Sequence, residues 1–190
     1  MLYAAVDLGG SSGRVTVGQL KDEKILLTEV HRFKHEPIQT KDGLFWDWQF
    51  LVEQVITGLK AATKLGRIHS VGIDSWAVDY GLIDKSGAVI SQPYCYRDAR
   101  TDGVMAKLKE ELGVDYIYSK TGIQFIFFNT MYQLFIEKES TAYKNADKFL
   151  MVPDLLNYLL CGSISTEITN ASTTQLLNVH TRDWDWQIIE

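Results

Sequence analysis

An aspartate stands where the first apolar run of the chain ends and a loop of small residues begins. The opening residues read LYAAVDLGGSSGRVTV, so Asp7 precedes the loop from Gly9 to Gly13, and Arg14 follows it. Small residues after a buried strand let backbone N–H groups come close to an anion. A carboxylate beside phosphates can hold Mg²⁺ through water, because that ion gives up its hydration shell reluctantly. The pattern therefore indicates phosphate chemistry, with Arg14 adding positive charge near a transferring phosphoryl group.

The loop differs from two familiar phosphate-binding loops. A P-loop needs a lysine followed by Ser or Thr after its second glycine, and this chain has Arg14 and Val15 there. A dinucleotide fingerprint needs a helix that begins in the glycine turn, whereas residues 14–17 alternate like a strand. The pattern favours a β-hairpin whose turn binds an anion, with the hydroxyls of Ser11 and Ser12 as further donors. A purely structural role stays open, in which Asp7 accepts hydrogen bonds from the turn.

The elements that must position this loop follow from hydrophobic periodicity and turn signals. Three strands with short connections predict an antiparallel meander, then a helix and two more strands, in the order βββαββ. The predicted strands are Leu2 to Leu8, Arg14 to Val17, Lys24 to Phe33, Ser70 to Asp74 (a buried strand) and Tyr80 to Asp84; the helix is Phe50 to Leu65. After Pro93 the pattern predicts helices at Asp102 to Leu112, Thr130 to Glu139, Pro153 to Leu160 and Asn170 to Leu177. This order is typical of an α/β protein.

Composition limits the classes of function. With 190 residues, of which 46% are hydrophobic, the chain can form one compact core or two small lobes. A formal charge of −5, without a long basic run, argues against nucleic acid or an anionic membrane surface as a partner. The sequence shows no signal peptide and no apolar stretch of membrane-spanning length, so we expect a cytoplasmic protein. Cys95 and Cys161 are predicted to be buried free thiols.

Several segments resemble one protein family. VDLGGSSGRV resembles the phosphate-binding hairpin of the FGGY carbohydrate kinases, which belong to the actin-like ATPase superfamily. The segments SVGIDSWAVDYGLID, YCYRDARTDG, TGIQFIFFNTMYQL, LMVPDLLNYLLCG and TEITNASTTQLLN resemble family segments in the same order and span essentially the whole chain. The resemblance implies a ribonuclease-H-like α/β domain. Its mixed sheet would have three antiparallel strands first and the fourth and fifth strands parallel, flanked by helices.

The resemblance also implies a division of the protein and an activity. Residues 1–190 would form the N-terminal domain, which binds sugar and phosphate, and a C-terminal domain would lie outside this chain. The activity implied is ATP-dependent phosphorylation of a sugar, and GIDSWAVD with TGIQF resembles the family members that convert L-rhamnulose to L-rhamnulose 1-phosphate. Two alternatives stay open: a kinase for another ketose or polyol, such as L-fuculose or xylulose, and a non-catalytic module that senses a sugar or nucleotide.

Residue roles follow from the same resemblance. The phosphates of ATP would contact Gly10, Ser11, Ser12, Gly13 and Arg14, and Asp7 would hold Mg²⁺ through water. The sugar would contact Trp76, Ala77, Asp79, Arg97, Asp98 and Gln124. The general base would be an aspartate of the C-terminal domain, so we expect the 190-residue chain alone to be inactive. His31 and His35 lie in or beside a predicted strand, where their i, i+4 spacing forms no helical metal face, and we expect them at the surface without a role.

Overall fold

The computed structural model describes residues 1–190 as eight strands, eight α-helices and one short 3₁₀ helix, Ala99–Thr101. The strands are β1 (Leu2–Leu8), β2 (Ser12–Lys21), β3 (Lys24–Lys34), β4 (Pro37–Thr40), β5 (Gly43–Trp46), β6 (Ile68–Ser75), β7 (Tyr80–Asp84) and β8 (Ala146–Met151). The helices are α1 (Trp48–Thr63), α2 (Val104–Leu112), α3 (Val114–Thr121), α4 (Thr130–Glu137), α5 (Thr141–Asn145), α6 (Val152–Cys161), α7 (Ile168–Ser172) and α8 (Trp186–Ile189).

The chain forms two compact units that alternate along the sequence. The first unit contains Met1–Ile38 and Trp46–Trp76, and the second contains Gln39–Phe45 and Ala77–Glu190. Each unit has its own sheet and its own buried apolar residues.

A four-stranded sheet with the order β3-β2-β1-β6 forms the first unit. Its first three strands are antiparallel neighbours, which confirms the predicted meander, and β6 runs parallel to β1. In this register Asp7 lies opposite Arg14 of β2 and opposite Asp74 of β6. Because register partners on neighbouring strands point to the same face, these three side chains share one face of the sheet.

Helix α1 covers the other face of the first sheet. The Asp47 carboxylate caps the helix by accepting the N–H of Phe50 at 3.1 Å. Leu51, Val55 and Ala62, at helical spacing on the inner face of α1, are fully buried. Gly58 lets the helix backbone approach β2, because an added Cβ would lie 2.3 Å from Cγ2 of Val15.

The strand predicted from Ser70 to Asp74 lies within β6, but the prediction that it is buried is wrong. Most of its side chains are exposed, including 42% of Val71. The physical reason is its position, since β6 is the edge of the sheet and α1 packs mainly against β2 and β3. A short apolar run predicts a strand without showing which neighbours cover it.

The fifth predicted strand also pairs with a different strand from the one expected. It forms β7, which pairs antiparallel with β8 in a separate two-stranded sheet of the second unit, with Tyr80 opposite Met151. The expected parallel pairing of the fourth and fifth strands is therefore wrong. Its partner β8 lies more than sixty residues later in the chain, and no local pattern carries that information.

The remaining residues of the second unit are mainly helical. One buried cluster lies among α2, α3, α4 and the last helix, and contains Val104, Leu108, Ile117, Met131, Tyr132, Leu176 and Ile188. Cys95 is buried, which raises the pKa of its thiol to about 11. Cys161 is exposed at the end of α6, so the prediction that it is buried is wrong. No helix has the length and apolar character needed to cross a membrane.

Candidate functional site

The predicted anion-binding loop is a tight turn between β1 and β2. We call residues 9–13 the glycine–serine turn. The N–H of Gly9 donates to the carbonyl of Ser12 at 2.9 Å, and Leu8 and Gly13 form the last strand pair beneath the turn. Ser11 is exposed and Ser12 is half-buried. The predicted hairpin is therefore confirmed as a shape, and it places the small residues at the end of the sheet.

Gly13 has a structural requirement of its own. A Cβ at this position would lie 2.3 Å from Cζ of Phe33 and 2.8 Å from Cδ2 of Leu8. Real Cβ atoms do not approach carbon so closely, so any larger residue must displace the aromatic ring or the turn. Packing beneath the turn already explains the glycine at this position.

Asp7 and Arg14 form an ion pair at the base of the turn. Nη2 and Nε of Arg14 lie 2.6 and 2.8 Å from Oδ2 of Asp7. The side chain of Asp7 is 41% exposed, so solvent or a ligand can reach the carboxylate. Asp74, its register partner on β6, is also exposed. The structure thus brings two carboxylates and one guanidinium to the same exposed face.

This set of residues fits a magnesium ion that is held mostly by water and phosphate. No group of three or more His, Cys, Asp or Glu side chains gathers where it could hold a metal ion. Mg²⁺ does not need such a group, because it usually keeps several waters and takes one or two carboxylates together with substrate phosphates. Asp7, with Asp74 beside it, supplies that number of carboxylates at an accessible place.

Trp76 directly follows β6 and lies beside the end of β1. Its N–H donates to the carbonyl of Leu8 at 3.1 Å. Its ring packs against Trp46, with the ring centroids 4.2 Å apart, and against His35, with centroids 5.5 Å apart. Contact of Trp76 with the sugar stays a prediction, and the structure holds its indole against Trp46 and His35.

His35 is the functional candidate that sequence analysis missed in this unit. The expectation of a surface position is wrong, because only 5% of the residue is exposed. Its Nε2 lies 2.8 Å from the carbonyl of Gly9, and its main-chain N–H donates to the carbonyl of Ser11 at 3.1 Å. A signal was present in the sequence, since His35 continues the buried alternation of β3 two residues after Phe33. His31, in contrast, is half-buried and bonds to Oε1 of Gln54 at 2.8 Å.

In the second unit, a strained turn contains Ala77 and Asp79, two of the predicted sugar contacts. Val78 has φ of 67°, and the N–H of Asp79 donates across it to the carbonyl of Ala77 at 2.9 Å. A β-branched residue rarely adopts positive φ, and such conformations persist only where the surroundings hold them. Here Oγ1 of Thr130 donates to the Val78 carbonyl at 2.7 Å, and Nε2 of Gln133 lies 3.4 Å from the same oxygen.

Two predicted sugar carboxylates are engaged within the second unit. Asp79 is fully buried and accepts from Nε2 of Gln133 at 2.9 Å and from the N–H of Tyr96 at 3.1 Å. Asp98 accepts from the N–H of Arg100 at 2.7 Å and from the N–H of Leu44 at 2.5 Å. Both carboxylates therefore fix backbone segments, and direct contact with a sugar stays a prediction for each.

Arg97 and Gln124 are more accessible. Arg97 is exposed, and its Nη2 donates to the hydroxyl of Tyr96 at 3.0 Å. Gln124 is exposed on the segment before α4, where its carbonyl accepts from Nδ2 of Asn129 at 2.9 Å. Tyr96 connects Arg97 to Asp79, because its hydroxyl accepts from Arg97 and its main-chain N–H donates to Asp79. The structure shows no such connection for Gln124.

A buried polar network supports these segments, and sequence analysis missed it. Arg100 donates to Oε1 of Gln133 at 2.8 Å and pairs with Glu137 at 3.3 Å, and the hydroxyl of Tyr80 donates to the same carboxylate of Glu137. Arg100 also lies over the ring of Tyr94, 3.6 Å from its centroid. Burial, and then the negative charge of Glu137, raise the pKa of Tyr80 well above its usual value.

Comparisons with known proteins give one consistent family. The model for the FGGY family of carbohydrate kinases, N-terminal domain, matches residues 2–190. The chain is 48% identical over 192 residues to a rhamnulokinase of Mannheimia succiniciproducens, covering 98% of this chain and 40% of that protein. It is 47% identical over 191 residues to a rhamnulokinase of Bacillus subtilis, covering 100% of this chain and 39% of that protein. The chain therefore spans about 40% of the length of these curated relatives.

A solved structure agrees on the fold. The xylulose kinase from Lactobacillus acidophilus superposes with a TM-score of 0.86 at 18% identity, over 99% of this chain and 39% of that chain. The chain belongs to the FGGY family of carbohydrate kinases, and the predicted α/β fold of the actin-like ATPase type is confirmed.

Proposed function

We propose that the protein containing this chain is an ATP-dependent kinase that phosphorylates L-rhamnulose to L-rhamnulose 1-phosphate. The observation that carries the proposal is the identity of 48% over 98% of the chain to a relative named rhamnulokinase. An exposed turn of small residues with Asp7 and Arg14 at its base supports the kinase chemistry.

In the first unit, we assign the phosphates of ATP to the glycine–serine turn and Arg14. The residues are Gly10, Ser11, Ser12, Gly13 and Arg14. Asp7 holds Mg²⁺ through water and, without that ion, holds Arg14 by the observed ion pair. Mg²⁺ supplies neutralisation of phosphate oxygens when it is bound. Arg14 keeps a positive charge at the same place and stabilises the negative charge of the phosphoryl group during its transfer.

We assign the sugar residues by what each can reach. In the first unit, the Trp76 indole offers an apolar surface to ring carbons. In the second unit, Ala77, Arg97 and Gln124 supply contacts at the surface, with Arg97 donating to hydroxyls. Asp79 acts on the sugar by holding the backbone at Tyr96, and Asp98 by holding the backbone at Arg100 and Leu44, because their oxygens already accept N–H bonds there.

The general base belongs to a C-terminal domain outside this chain. A base must reach the proton that it removes, either directly or through one water. Asp79 is buried and bonded, and Asp7 and Asp74 lie next to the proposed phosphate turn, so we assign none of them to this role.

A coupled ATPase assay of the full-length protein tests the proposal. L-rhamnulose, L-fuculose, L-xylulose, D-xylulose and glycerol are compared at equal concentrations, with and without Mg²⁺. We expect turnover with L-rhamnulose to exceed every other substrate and to require Mg²⁺. Preference for another compound in the panel refutes the assigned substrate, and no turnover with any of them refutes the kinase in favour of a sensing module.

A further inference from the structure

His35 contacts the glycine–serine turn with both its main chain and its ring. The main-chain N–H of His35 donates to the carbonyl of Ser11, and Nε2 of its ring lies 2.8 Å from the carbonyl of Gly9. A carbonyl oxygen can only accept, so Nε2 must carry the proton and donate. These two bonds hold Gly9 and Ser11 of the turn from a residue that directly follows β3, 26 positions after Gly9.

The ring that donates this bond is enclosed by aromatic side chains. It packs edge-on against Trp46, with the centroids 5.4 Å apart and an interplanar angle of 69°. On another side it lies 5.5 Å from Trp76 at 36°, and the two indoles are themselves in contact. Only 5% of His35 is exposed. Because interiors are close-packed, the imidazole cannot turn away from Gly9 without moving an indole.

We propose that His35 is a positioning residue that couples the glycine–serine turn to Trp76. Its Nε2–H fixes the Gly9 carbonyl, and the plane of its ring fixes the indole beside it. The kinetic part of this inference rests on the proposed function, in which the turn binds ATP and Trp76 meets the sugar. The Nε2–H donor of His35 then serves ATP binding and its ring serves sugar binding, and suitable substitutions can remove either contact without the other.

Two substitutions in the full-length protein separate the two contacts. His35→Phe keeps a ring between the indoles and removes the donor, so we expect the KM for ATP to rise about tenfold, with the KM for the sugar within about twofold. His35→Gln keeps an N–H donor at similar reach and removes the ring, so the KM for the sugar should rise several-fold and the KM for ATP should stay near the wild-type value. His31→Phe is the matched control, because His31 lies four residues earlier, on β3, and bonds to Gln54 and not to the glycine–serine turn. We expect it to change neither KM.

Hydrogen exchange without any ligand gives a readout that does not depend on activity. In His35→Phe, the amides of a peptide covering residues 7–14 should exchange about tenfold faster, because the turn has lost a hydrogen bond to a buried group. In His35→Gln and His31→Phe they should exchange at the wild-type rate, and a peptide from α6 of the second unit should be unchanged in all three variants.

The combined outcomes keep the inference and the proposed function apart. The expected exchange pattern in a protein without kinase turnover refutes the proposed function and supports the positioning role of His35. Turnover by the wild type, together with an equal rise of both KM values in both His35 variants, refutes the coupling. Unchanged exchange of residues 7–14 in His35→Phe refutes it as well.

Discussion

Asp7 is a single carboxylate for which a metal role and a structural role predict different results. Asp7→Asn keeps the shape and removes the charge. Exposed ion pairs contribute at most about 1 kcal/mol, so we expect the melting temperature to change little. If the carboxylate holds Mg²⁺, we expect kcat with the sugar to fall on the order of 100-fold and the Mg²⁺ concentration for half-maximal rate to rise.

Glu29 offers a matched control for Asp7. It forms an exposed ion pair with Arg32 at 2.5 Å on the edge strand of the same sheet. Glu29→Gln therefore removes a similar pair without touching the glycine–serine turn, and we expect full activity. An Asp7→Asn protein with wild-type kcat and Mg²⁺ dependence would show that Asp7 serves only the hairpin.

Tyr80 and Tyr132 are both buried, but their hydroxyl groups differ. The Tyr80 hydroxyl donates to the buried Glu137, whereas the Tyr132 hydroxyl has no protein partner. Tyr80→Phe should lower the free energy of unfolding by about 1.5–3 kcal/mol, because a buried carboxylate loses a donor. Tyr132→Phe should leave it unchanged or raise it slightly, since it removes an unsatisfied polar group. Urea unfolding of the two variants measures both values, and equal destabilisation would contradict the assigned network.

Gly13 is required by its neighbour Phe33. Gly13→Ala should lower the free energy of unfolding by about 1–3 kcal/mol through overpacking. Phe33→Leu in the same protein frees space next to residue 13, so the double variant should be more stable than the sum of the single effects predicts. A double-mutant cycle by urea unfolding measures the coupling. Simple additivity would place the reason for the glycine elsewhere.

At this scale, the sequence was informative where the residues of a site are contiguous. Asp7, the glycine–serine turn and Arg14 stand together in the chain, and the structure places them together in a hairpin. His35 could not be joined to Gly9 from the sequence, because 26 residues and a strand pairing separate them. Whether Asp79 faces a ligand or the interior also depends on Gln133, more than fifty residues away.

Among the elements, α4 fixes the strained turn at Val78 from a distance along the chain. Gln133 bonds on one side to Asp79 and Val78 and on the other to Arg100. Gln133→Leu keeps a similar shape and leaves four polar groups with fewer partners: Arg100, the Asp79 carboxylate and the carbonyls of Val78 and Phe128. We expect the free energy of unfolding to fall by about 2–4 kcal/mol. We also expect the KM for the sugar to rise more than the KM for ATP.

Gln54→Leu in α1 is the control for this helix. Gln54 makes one partly buried bond, to His31, so its loss should cost less than about 1 kcal/mol and change neither KM. Thermal unfolding and steady-state kinetics of both variants distinguish the two cases. Equal effects of the two substitutions would show that α4 does not control the turn.

Elements with strong local signals were predicted well, and elements defined by distant partners were not. Helices α2, α4 and α6 lie within about two residues of their predicted bounds, because periodicity and a proline at the start of α6 specify them. The helix predicted from Asn170 to Leu177 is shorter, at Ile168–Ser172. The short strands β4 and β5, helices α3 and α5 and strand β8 were missed, since short elements owe their stability mostly to packing.

At the scale of the whole molecule, the chain spans about 40% of the length of the curated relatives that it matches. We expect the isolated 190-residue chain to show no turnover with L-rhamnulose and ATP, while the full-length protein turns over, because the proposed base lies outside residues 1–190. A coupled assay on both, at equal molar concentration and after removal of contaminating kinases, measures this. Turnover by the isolated chain would place the base among its own carboxylates.

The two units alternate along the sequence, and this order matters during synthesis on the ribosome. Residues 39–45 belong to the second unit but are followed in the chain by the rest of the first unit. Their native contacts come later still: the N–H of Leu44 donates to the carboxylate of Asp98, 54 residues later, and the ring of Phe45 packs on that of Tyr94. At ~5–20 residues per second, this segment waits about 3 to 10 s for these partners to be made. The nascent chain can complete the first unit, with the glycine–serine turn and His35, while its own inserted segment is still without its native contacts.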